Sequence, residues 1–308
     1  MTEPQNPRMT MLAAAGSILL CVIFGANATA IKISLTGVGK FTAASIRFSL
    51  AALTIALWAR FSGRQFRVPR EQRMALMIIC VLFTAQLSFF YLGLSLTLAS
   101  RAALVVNAVP FFVLIFAHLF LPNDRMTVQK VAGMVLGFIG VALVLRHPPT
   151  QAVGVSRGDW IILLATLLWA GNAVYTKTII AHVRPFQVVL YPMLLAAPVL
   201  FLEGWVWDGG MIVRLDGPVI MALIYQSLIC AAFGFVAWNT LLKRYGASTL
   251  HSFLFIMPVA GVLTAAGMLG EPLTSHLVAA VILVAVGIGM IHFKTKSATP
   301  TLPVGRSY

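Results

Sequence analysis

An asparagine and a lysine recur in this chain at a fixed interval, both times in strongly apolar surroundings. Asn27 and Asn172 are 145 residues apart, and so are Lys32 and Lys177. Self-similarity of this kind predicts that one structural unit is written twice. Because a polar side chain inside a bilayer is energetically costly, each of these four residues is also a functional candidate.

The composition indicates an integral membrane protein. Of the 308 residues, 60% are hydrophobic and 10% are charged, whereas soluble domains average roughly 25% charged residues. The net charge of +14 could indicate nucleic-acid binding, but the basic residues cluster in short connections between apolar runs. That distribution is the topology signal of membrane proteins. We therefore expect no nucleic-acid partner, and we expect neither a cofactor nor a metal.

The apolar runs predict an all-α fold with ten transmembrane helices. A helix needs about 20 apolar residues to cross a bilayer, and the candidates are residues 11–31, 41–59, 74–97, 102–121, 128–146, 159–177, 186–204, 218–241, 249–269 and 275–293. If the N-terminus is cytoplasmic, 15 of the 22 Lys and Arg residues lie on the cytoplasmic side, six lie on the other side, and Arg47 lies within a span. This asymmetry predicts that both termini are cytoplasmic.

Ten spans divide into two five-helix repeats, residues 11–146 and 159–293, followed by a cytoplasmic tail at 294–308. An odd number of spans in each repeat means that the second repeat is inserted upside down. Further matches follow in the same order, among them Pro110 with Pro258 and Asp124 with Glu271. Inverted repeats are the architecture of many secondary transporters, whose substrate site lies near the midplane between the repeats.

The doubled motifs resemble the drug/metabolite transporter superfamily, specifically its EamA-type ten-helix exporters. The resemblance is carried by Phe24-Gly25…Lys32 with Trp169-Ala170…Lys177, and by Pro110…Asp124-Arg125-Met126-Thr127…Gly133, Gly137, Gly140 with Pro258…Glu271-Pro272-Leu273-Thr274…Gly287, Gly289. It implies a cavity bounded by spans one, three, four, six, eight and nine. Phe24 stands where the family usually has Trp, which predicts a more apolar substrate path on that side.

Together, the repeat and the resemblance predict a secondary transporter, not an enzyme, in the bacterial inner membrane. We expect alternating access and the export of small organic solutes, with amino acids or related metabolites as the first candidates. Proton coupling through His118 or His251 and simple uniport both stay open.

Two other classes of function would also fit a chain with many spans. A membrane enzyme of lipid metabolism would need a carboxylate or histidine cluster at an interface, and the sequence has none. A channel or a non-transporting structural protein is the other class, and a channel should show a continuous polar stripe along a helix. We therefore expect a small-molecule substrate, a lipid bilayer environment and a monomer or homodimer.

The candidate substrate-path residues are polar or aromatic side chains within the predicted spans. They are Asn27, Gln86, Tyr91, Asn107, Trp169, Asn172, Tyr175, Trp238, Asn239 and His251. Interhelical hydrogen bonding is the structural alternative for the asparagines, and core packing is the alternative for the aromatic residues. Arg47 is the odd charge within a span, and we expect it to snorkel or to pair with Glu203.

Two further pairs of residues are candidates for gating. Lys32 and Lys177 could attract an anionic group near opposite membrane faces, although snorkelling to the lipid headgroups would also explain them. Pro110 and Pro258 interrupt helical hydrogen bonding, so that each could be a hinge or a static kink.

Overall fold

The structure, a computed structural model, describes residues 9–120, 127–147, 155–179, 183–245 and 253–292. The helices are α1 (Met11–Ser34), α2 (Lys40–Phe61), α3 (Arg73–Ser95), α4 (Ala99–Phe120), α5 (Val128–Arg146), α6 (Val155–Ile179), α7 (Pro185–Trp207), α8 (Gly217–Ile224, Tyr225–Gly234 and Phe235–Tyr245), α9 (Ile256–Leu269) and α10 (Ser275–His292). Strands are absent from these described ranges, where the one extended pairing is an isolated bridge between Val38 and Ile212. The all-α prediction is therefore confirmed.

Eight of the described helices, α1 to α8, are long and apolar enough to cross a membrane. The helices α9 and α10 are also apolar but shorter. The predicted ninth span began at residue 249, and residues 249–252 lie outside the described ranges, as does the predicted tail at 294–308. The length criterion thus gives a multi-pass membrane protein with eight candidate spans in the described part of the chain.

Two helices that reach the centre of the bundle are interrupted. The sequence predicted an interruption at Pro110 in the fourth span but none in the first span. The four pieces are Met11–Gly25, Asn27–Ser34, Ala99–Val106 and Val109–Phe120. The interruption of α1 is at Ala26, and that of α4 is at Asn107 and Ala108. In α4 the cause is Pro110, because its nitrogen has no hydrogen to donate to the carbonyl of Val106.

The two prolines predicted as hinges each lie in the first turn of a helical piece. Pro110 is the second residue of Val109–Phe120, and Pro258 is the third residue of α9. A proline in a first turn breaks no hydrogen bond within its own helix, since that N–H would have no partner there. The structure therefore places Pro258 at the start of α9, whereas the sequence predicted a break within a longer span.

The middle of α8 is wound as a π-helix over Tyr225–Gly234. Such segments are rare and often occur at functional sites. The wider turns bring two of its side chains against other helices, Gln226 against Tyr91 of α3 and Cys230 against Arg47 of α2. This segment thus links α2, α3 and α8 near the centre of the bundle.

Glycines allow close helix contacts inside the bundle. A Cβ atom on Gly133 of α5 would lie 2.7 Å from the carbonyl oxygen of Gly287 in α10. A Cβ atom on Gly25 of α1 would lie 2.6 Å from the carbonyl oxygen of Met257 in α9. Both distances are shorter than van der Waals contact, so these backbones approach as closely as they do only because the side chains are absent.

Carboxylates join helices at one end of the bundle, which we call the Asp208 end. Asp208, after α7, accepts hydrogen bonds from the backbone nitrogen and the hydroxyl of Thr42 in α2, each at 2.9 Å. Glu271, between α9 and α10, accepts from the backbone nitrogens of Ala99 at 2.8 Å and Ser100 at 2.9 Å in α4. Each carboxylate therefore satisfies N–H groups at a helix start, where negative charge is favourable.

A buried ion pair joins α4 to α6 at the same end. Arg101 donates from Nε to Asp159 at 3.0 Å, and its Nη2 lies 2.5 Å from the same carboxylate. The remaining donors of Arg101 reach the backbone carbonyls of Val144 and His147 at the end of α5. Thr97 donates to the second oxygen of Asp159. Every side-chain nitrogen of Arg101 and both oxygens of Asp159 therefore have a hydrogen-bond partner, although both side chains are almost completely buried.

Candidate substrate cavity

A cavity of about 330 Å³ lies between α1, α2, α3, α4, α6, α8 and α9. Its polar lining residues are Asn27, Arg47, Gln86 and Asn107, and its aromatic lining residues are Phe24, Phe48, Phe83, Phe90, Trp169, Phe235 and Trp238. Phe24, Gln86 and Pro110 lie near the middle of α1, α3 and α4, which places the cavity at mid-depth in the bundle. The family resemblance implied six of these helices, and the structure adds α2.

Three residues on the cavity lining each carry a buried polar atom that has no hydrogen-bond partner. These atoms are Oδ1 of Asn27, Nε of Arg47 and Oε1 of Gln86. In the described part of the chain, one other buried side-chain atom shares this property, Oδ1 of Asn172. Native proteins leave few such atoms unpaired, and each costs about 1–3 kcal/mol. Their concentration in one cavity therefore distinguishes it from ordinary packed core.

Arg47 is buried in α2 and is 5% exposed. Its Nη1 donates a long hydrogen bond of 3.5 Å to the Tyr91 hydroxyl, and Nη2 lies 3.9 Å from the Cys230 sulfur. The guanidinium carbon lies 5.0 Å from the ring centroid of Phe48, which is a cation–π distance. Every one of these partners is a neutral group.

The expected snorkelling of Arg47 and its expected pairing with Glu203 are both wrong. Arg47 is buried, and Glu203 of α7 instead accepts a hydrogen bond of 2.8 Å from the hydroxyl of Ser88 in α3. Among the residues that the structure describes, no carboxylate forms an ion pair with Arg47. The physical reason is the rotation of α2, which directs Arg47 to the cavity and not toward α7.

A chain of hydrogen bonds runs behind Arg47 from α3 to α1. The Tyr91 hydroxyl donates to Oε1 of Gln226 at 3.0 Å, and Nε2 of Gln226 donates to the Ser34 hydroxyl at 3.1 Å. Ser34 in turn donates to the carbonyl of Ile31 at 2.8 Å. Because the Tyr91 hydroxyl donates its proton to Gln226, its oxygen acts as the acceptor in the hydrogen bond from Arg47. Tyr91 thus positions the guanidinium from behind and does not line the cavity.

Aromatic rings form the apolar walls of the cavity. Phe24 lies against Phe235 with ring centroids 5.8 Å apart and against Trp238 at 5.9 Å, edge to face. Phe48 and Phe83 form a second edge-to-face pair at 5.5 Å. Such pairs hold their rings in fixed orientations. The walls can therefore contact the apolar part of a solute while the polar lining atoms contact its head group.

The cavity brings together half of the ten predicted substrate-path residues. Those that line it are Asn27, Gln86, Asn107, Trp169 and Trp238, and the predicted hinge Pro110 lines it as well. Asn107 uses its amide nitrogen for a 2.6 Å bond to the carbonyl of Ala103, one turn earlier in α4. Its amide oxygen remains available next to the break in that helix.

The other predicted path residues lie elsewhere or outside the described residues. Tyr91 is buried behind Arg47, and Tyr175 packs into an apolar cluster near the end of α6. Asn172 is buried one turn after Trp169 but does not line the cavity. The side chain of Asn239 and the whole of His251 lie outside the described residues.

The two predicted gate lysines lie at opposite ends of the bundle, and neither lines the cavity. Lys32 is half-buried in a separate pocket of about 400 Å³ at the Asp208 end, together with Lys40 and Asp208. Lys177 is exposed near the last residue of α6, at the other end. The central cavity therefore contains one cation on its lining, Arg47, among the described residues.

Arg47, Phe83 and Phe235 line the cavity but were not singled out from the sequence as path residues. For Arg47 a signal was available, because a charge inside an apolar span is by default a functional candidate. For the phenylalanines there was none, since the chain contains 20 of them. Which ones face a cavity depends on the rotation of each helix, and hydropathy does not report it.

Curated relatives of this chain are described as an efflux pump, an exporter and a transporter. A curated relative from Escherichia coli (strain K12), "Probable amino-acid metabolite efflux pump", is 25% identical over 88% of this chain and 92% of its own length. Another, from Streptantibioticus cattleyicolor, "Probable terminal-alkyne amino-acid exporter", is 25% identical over 85% of this chain and 88% of its own length. An "Uncharacterized transporter" from Archaeoglobus fulgidus is 26% identical over 89% and 96%.

A solved structure described only as "Crystal structure of protein" shares the fold. It matches 91% of this chain and 96% of its own, with a TM-score of 0.68 at 17% sequence identity. The model of the EamA-like transporter family matches residues 11–146 and again residues 156–293. The superfamily membership that the doubled motifs predicted is thus confirmed, and the chain belongs to the EamA-like transporter family.

Proposed function

We propose that the protein is a secondary transporter that exports amino acids or related small metabolites across the bacterial inner membrane. The main support is the mid-depth cavity, whose lining residues Asn27 and Gln86 each have a buried oxygen without a hydrogen-bond partner. Amide oxygens accept hydrogen bonds from an ammonium or another N–H group of a solute. The names of the relatives from Escherichia coli and Streptantibioticus cattleyicolor support the export direction and the amino-acid class.

The size of the cavity suits a small solute. Its volume of about 330 Å³ is at the lower end of the range of roughly 300–1,000 Å³ that is usual for ligand sites. Its lining combines an apolar aromatic wall with a few convergent polar atoms, as small-molecule sites generally do. This combination favours a compact molecule with one apolar side and one polar head.

We propose alternating access between two inverted five-helix repeats, residues 11–146 and 159–293, which makes α9 and α10 the ninth and tenth spans. Two separate matches of one family model support this division. The packing of α5 on α10, α2 on α7 and α4 on α9 also supports it. If each helix is replaced by its equivalent in the other repeat, each of these pairs becomes the same pair again. The contact of α3 with α6 becomes that of α8 with α1 under the same exchange.

Interrupted helices at the cavity fit this mechanism. Transporters of inverted-repeat architecture commonly build the substrate site from discontinuous helices whose unpaired backbone groups face the solute. Here α1 is interrupted at Ala26 and α4 at Asn107, and Asn27 and Asn107 line the cavity beside these breaks. The excess of Lys and Arg on the side of the N-terminus supports cytoplasmic termini.

The test is counterflow of radiolabelled amino acids in proteoliposomes that contain the purified protein. Gln86→Leu removes an unpaired amide of similar size from the cavity, so we expect transport to fall roughly tenfold or more while thermal stability is unchanged or higher. Gln187→Leu is the matched control. The Gln187 amide is also buried, but it donates to the carbonyls of Gln65, Phe66 and Arg67, away from the cavity.

We expect Gln187→Leu to lower thermal stability and to leave transport per folded molecule unchanged. The absence of flux for every amino acid tested with folded wild-type protein would count against the proposed function. Wild-type transport by Gln86→Leu would instead count against this cavity as the substrate site.

A further inference from the structure

We propose that Arg47 binds the carboxylate of the transported solute, so that the cavity selects molecules with a free carboxylate group. This inference rests on the proposed function and narrows its substrate class. It assigns a role to the one charged residue on the cavity lining among those that the structure describes.

Arg47 is a buried cation whose contacts are neutral groups. Arginine remains protonated in proteins, and a charge inside a bilayer is rare, costly and usually paired. Arg47 is 5% exposed, yet its contacts are a hydroxyl at 3.5 Å, a thiol sulfur at 3.9 Å and an aromatic ring. The described part of the protein therefore provides no carboxylate for this cation, and an anionic group of the solute can reach it through the cavity.

The Arg47 guanidinium retains hydrogen-bond donors, among them the unpartnered Nε. Tyr91 and Cys230 each take one bond from a different terminal nitrogen, and Nε has no partner. A carboxylate is typically bound by two parallel N–H groups of a guanidinium, which gives both strength and orientation. Tyr91, which does not line the cavity, and Cys230 and Phe48, which do, hold the guanidinium plane with neutral contacts. Each terminal nitrogen has a second hydrogen, so that a pair of donors remains for the ligand.

Other residues on the cavity lining have unpartnered atoms of the opposite polarity. The unpartnered atoms of Asn27 and Gln86 are oxygens, and therefore acceptors, whereas that of Arg47 is a donor. A zwitterion satisfies both, with its carboxylate on Arg47 and its ammonium on the amide oxygens. An amine without a carboxylate would bring a second positive charge beside Arg47, which is unfavourable in a poorly solvated cavity.

A second buried arginine provides an internal comparison. Arg101 is also 5% exposed, but it pairs with Asp159 and donates to two backbone carbonyls. Substituting Arg101 therefore removes a structural ion pair, whereas substituting Arg47 removes a donor on the cavity lining. The two arginines allow loss of stability to be separated from loss of substrate selection.

The experiment compares two amino acids with their carboxamides, L-leucine with L-leucinamide and L-phenylalanine with L-phenylalaninamide, in proteoliposomes. For the wild type we expect the free acid to be transported roughly tenfold or more faster than the amide. Arg47→Gln should bring this ratio close to one, because it slows the acid and removes the charge that repels the ammonium group of the amide, and Arg47→Lys should retain part of the ratio. Arg101→Gln should reduce the folded yield but leave the ratio as in the wild type.

The outcomes distinguish a failure of the proposed transport function from a failure of the role assigned to Arg47. If the wild type transports neither the acids nor the amides, the proposed function fails. If the wild type transports acid and amide equally, or if Arg47→Gln keeps the wild-type ratio, only the role of Arg47 is refuted. If Arg47→Gln does not fold, thermal melting of the wild type decides, because the acid should raise Tm more than the amide does.

Discussion

Glu271 joins two cavity-lining helices at the Asp208 end, and its removal should open that end. Its carboxylate accepts hydrogen bonds from the backbone nitrogens of Ala99 and Ser100 and from the Ser100 hydroxyl at 2.5 Å. It follows α9 directly and holds the first turn of α4. We predict that Glu271→Gln weakens this contact, because the amide keeps one acceptor oxygen and turns an NH₂ group toward the backbone donors.

The magnitude follows from the bonds that are lost. Hydrogen bonds to a charged group contribute about 1.5–3 kcal/mol each, and the attraction of a carboxylate to a helix N-terminus adds roughly 0.3–1 kcal/mol. Glu271 is partly exposed, so the lower values apply. Two lost bonds and the lost charge then amount to about 3 kcal/mol, which is roughly a 100-fold shift in a conformational equilibrium.

The assay is alkylation of a single cysteine in the cavity. Cys21, Cys80 and Cys230, which are all buried, are replaced by alanine, and Ala28, a cavity residue, is replaced by cysteine. A membrane-impermeant maleimide is added on the Asp208 side of oriented vesicles. We expect Glu271→Gln to raise the labelling rate by up to roughly 100-fold, the equilibrium shift given above.

The matched control is Asp208→Asn. The Asp208 carboxylate makes a comparable set of bonds at the same end, to the backbone and hydroxyl of Thr42 and to Lys40 at 3.4 Å. It joins α2 to α7, however, and α7 contributes no residue to the cavity. This substitution should lower thermal stability without changing labelling. The reasoning is refuted if Glu271→Gln is labelled at the wild-type rate, or if Asp208→Asn accelerates labelling equally.

Three further predictions concern the fold and the cavity wall. Asp159→Asn leaves the buried Arg101 without a counter-ion and should cost about 3–5 kcal/mol, seen as a lower Tm in detergent; an unchanged Tm would contradict the pairing. Gly25→Val places a Cβ atom 2.6 Å from a carbonyl of α9 and should destabilise the fold by about 1–3 kcal/mol. Gly16→Val, with no atom within 4 Å, should be neutral, and both are measured by size-exclusion yield. Trp238→Ala should slow transport of L-phenylalanine more than that of L-alanine, and equal slowing would argue against an aromatic wall.

Much of the architecture was predictable from hydropathy. A chain in lipid must satisfy its backbone hydrogen bonds internally, so long apolar runs separated by short basic links predict a helical bundle. The motifs around Asn27 and Asn172 identified the family, and the division into two inverted repeats stays a prediction. The helical class and the family could be predicted because they depend on properties that each segment has by itself.

Asn27 and Asn172 illustrate what the sequence did not predict, namely which of two similar residues lines the cavity. Their sequence surroundings are alike, and the oxygen of each is buried without a partner. Yet Asn27 lines the cavity beside the interruption of α1, and Asn172 does not line it. The difference arises because α1 is interrupted at Ala26 whereas α6 is continuous, and local sequence similarity does not reveal how the two helices are rotated.

Arg47 shows most clearly why the partners of a side chain could not be predicted from the sequence. The sequence by itself determined that a cation lies within an apolar span, and that Glu203 was within conceivable reach. Only the tertiary structure decided that Glu203 bonds to Ser88 and that Arg47 shares one cavity with the unpartnered oxygens. Hydropathy is a property of one segment, whereas the partner of a side chain depends on the rotation and packing of several helices.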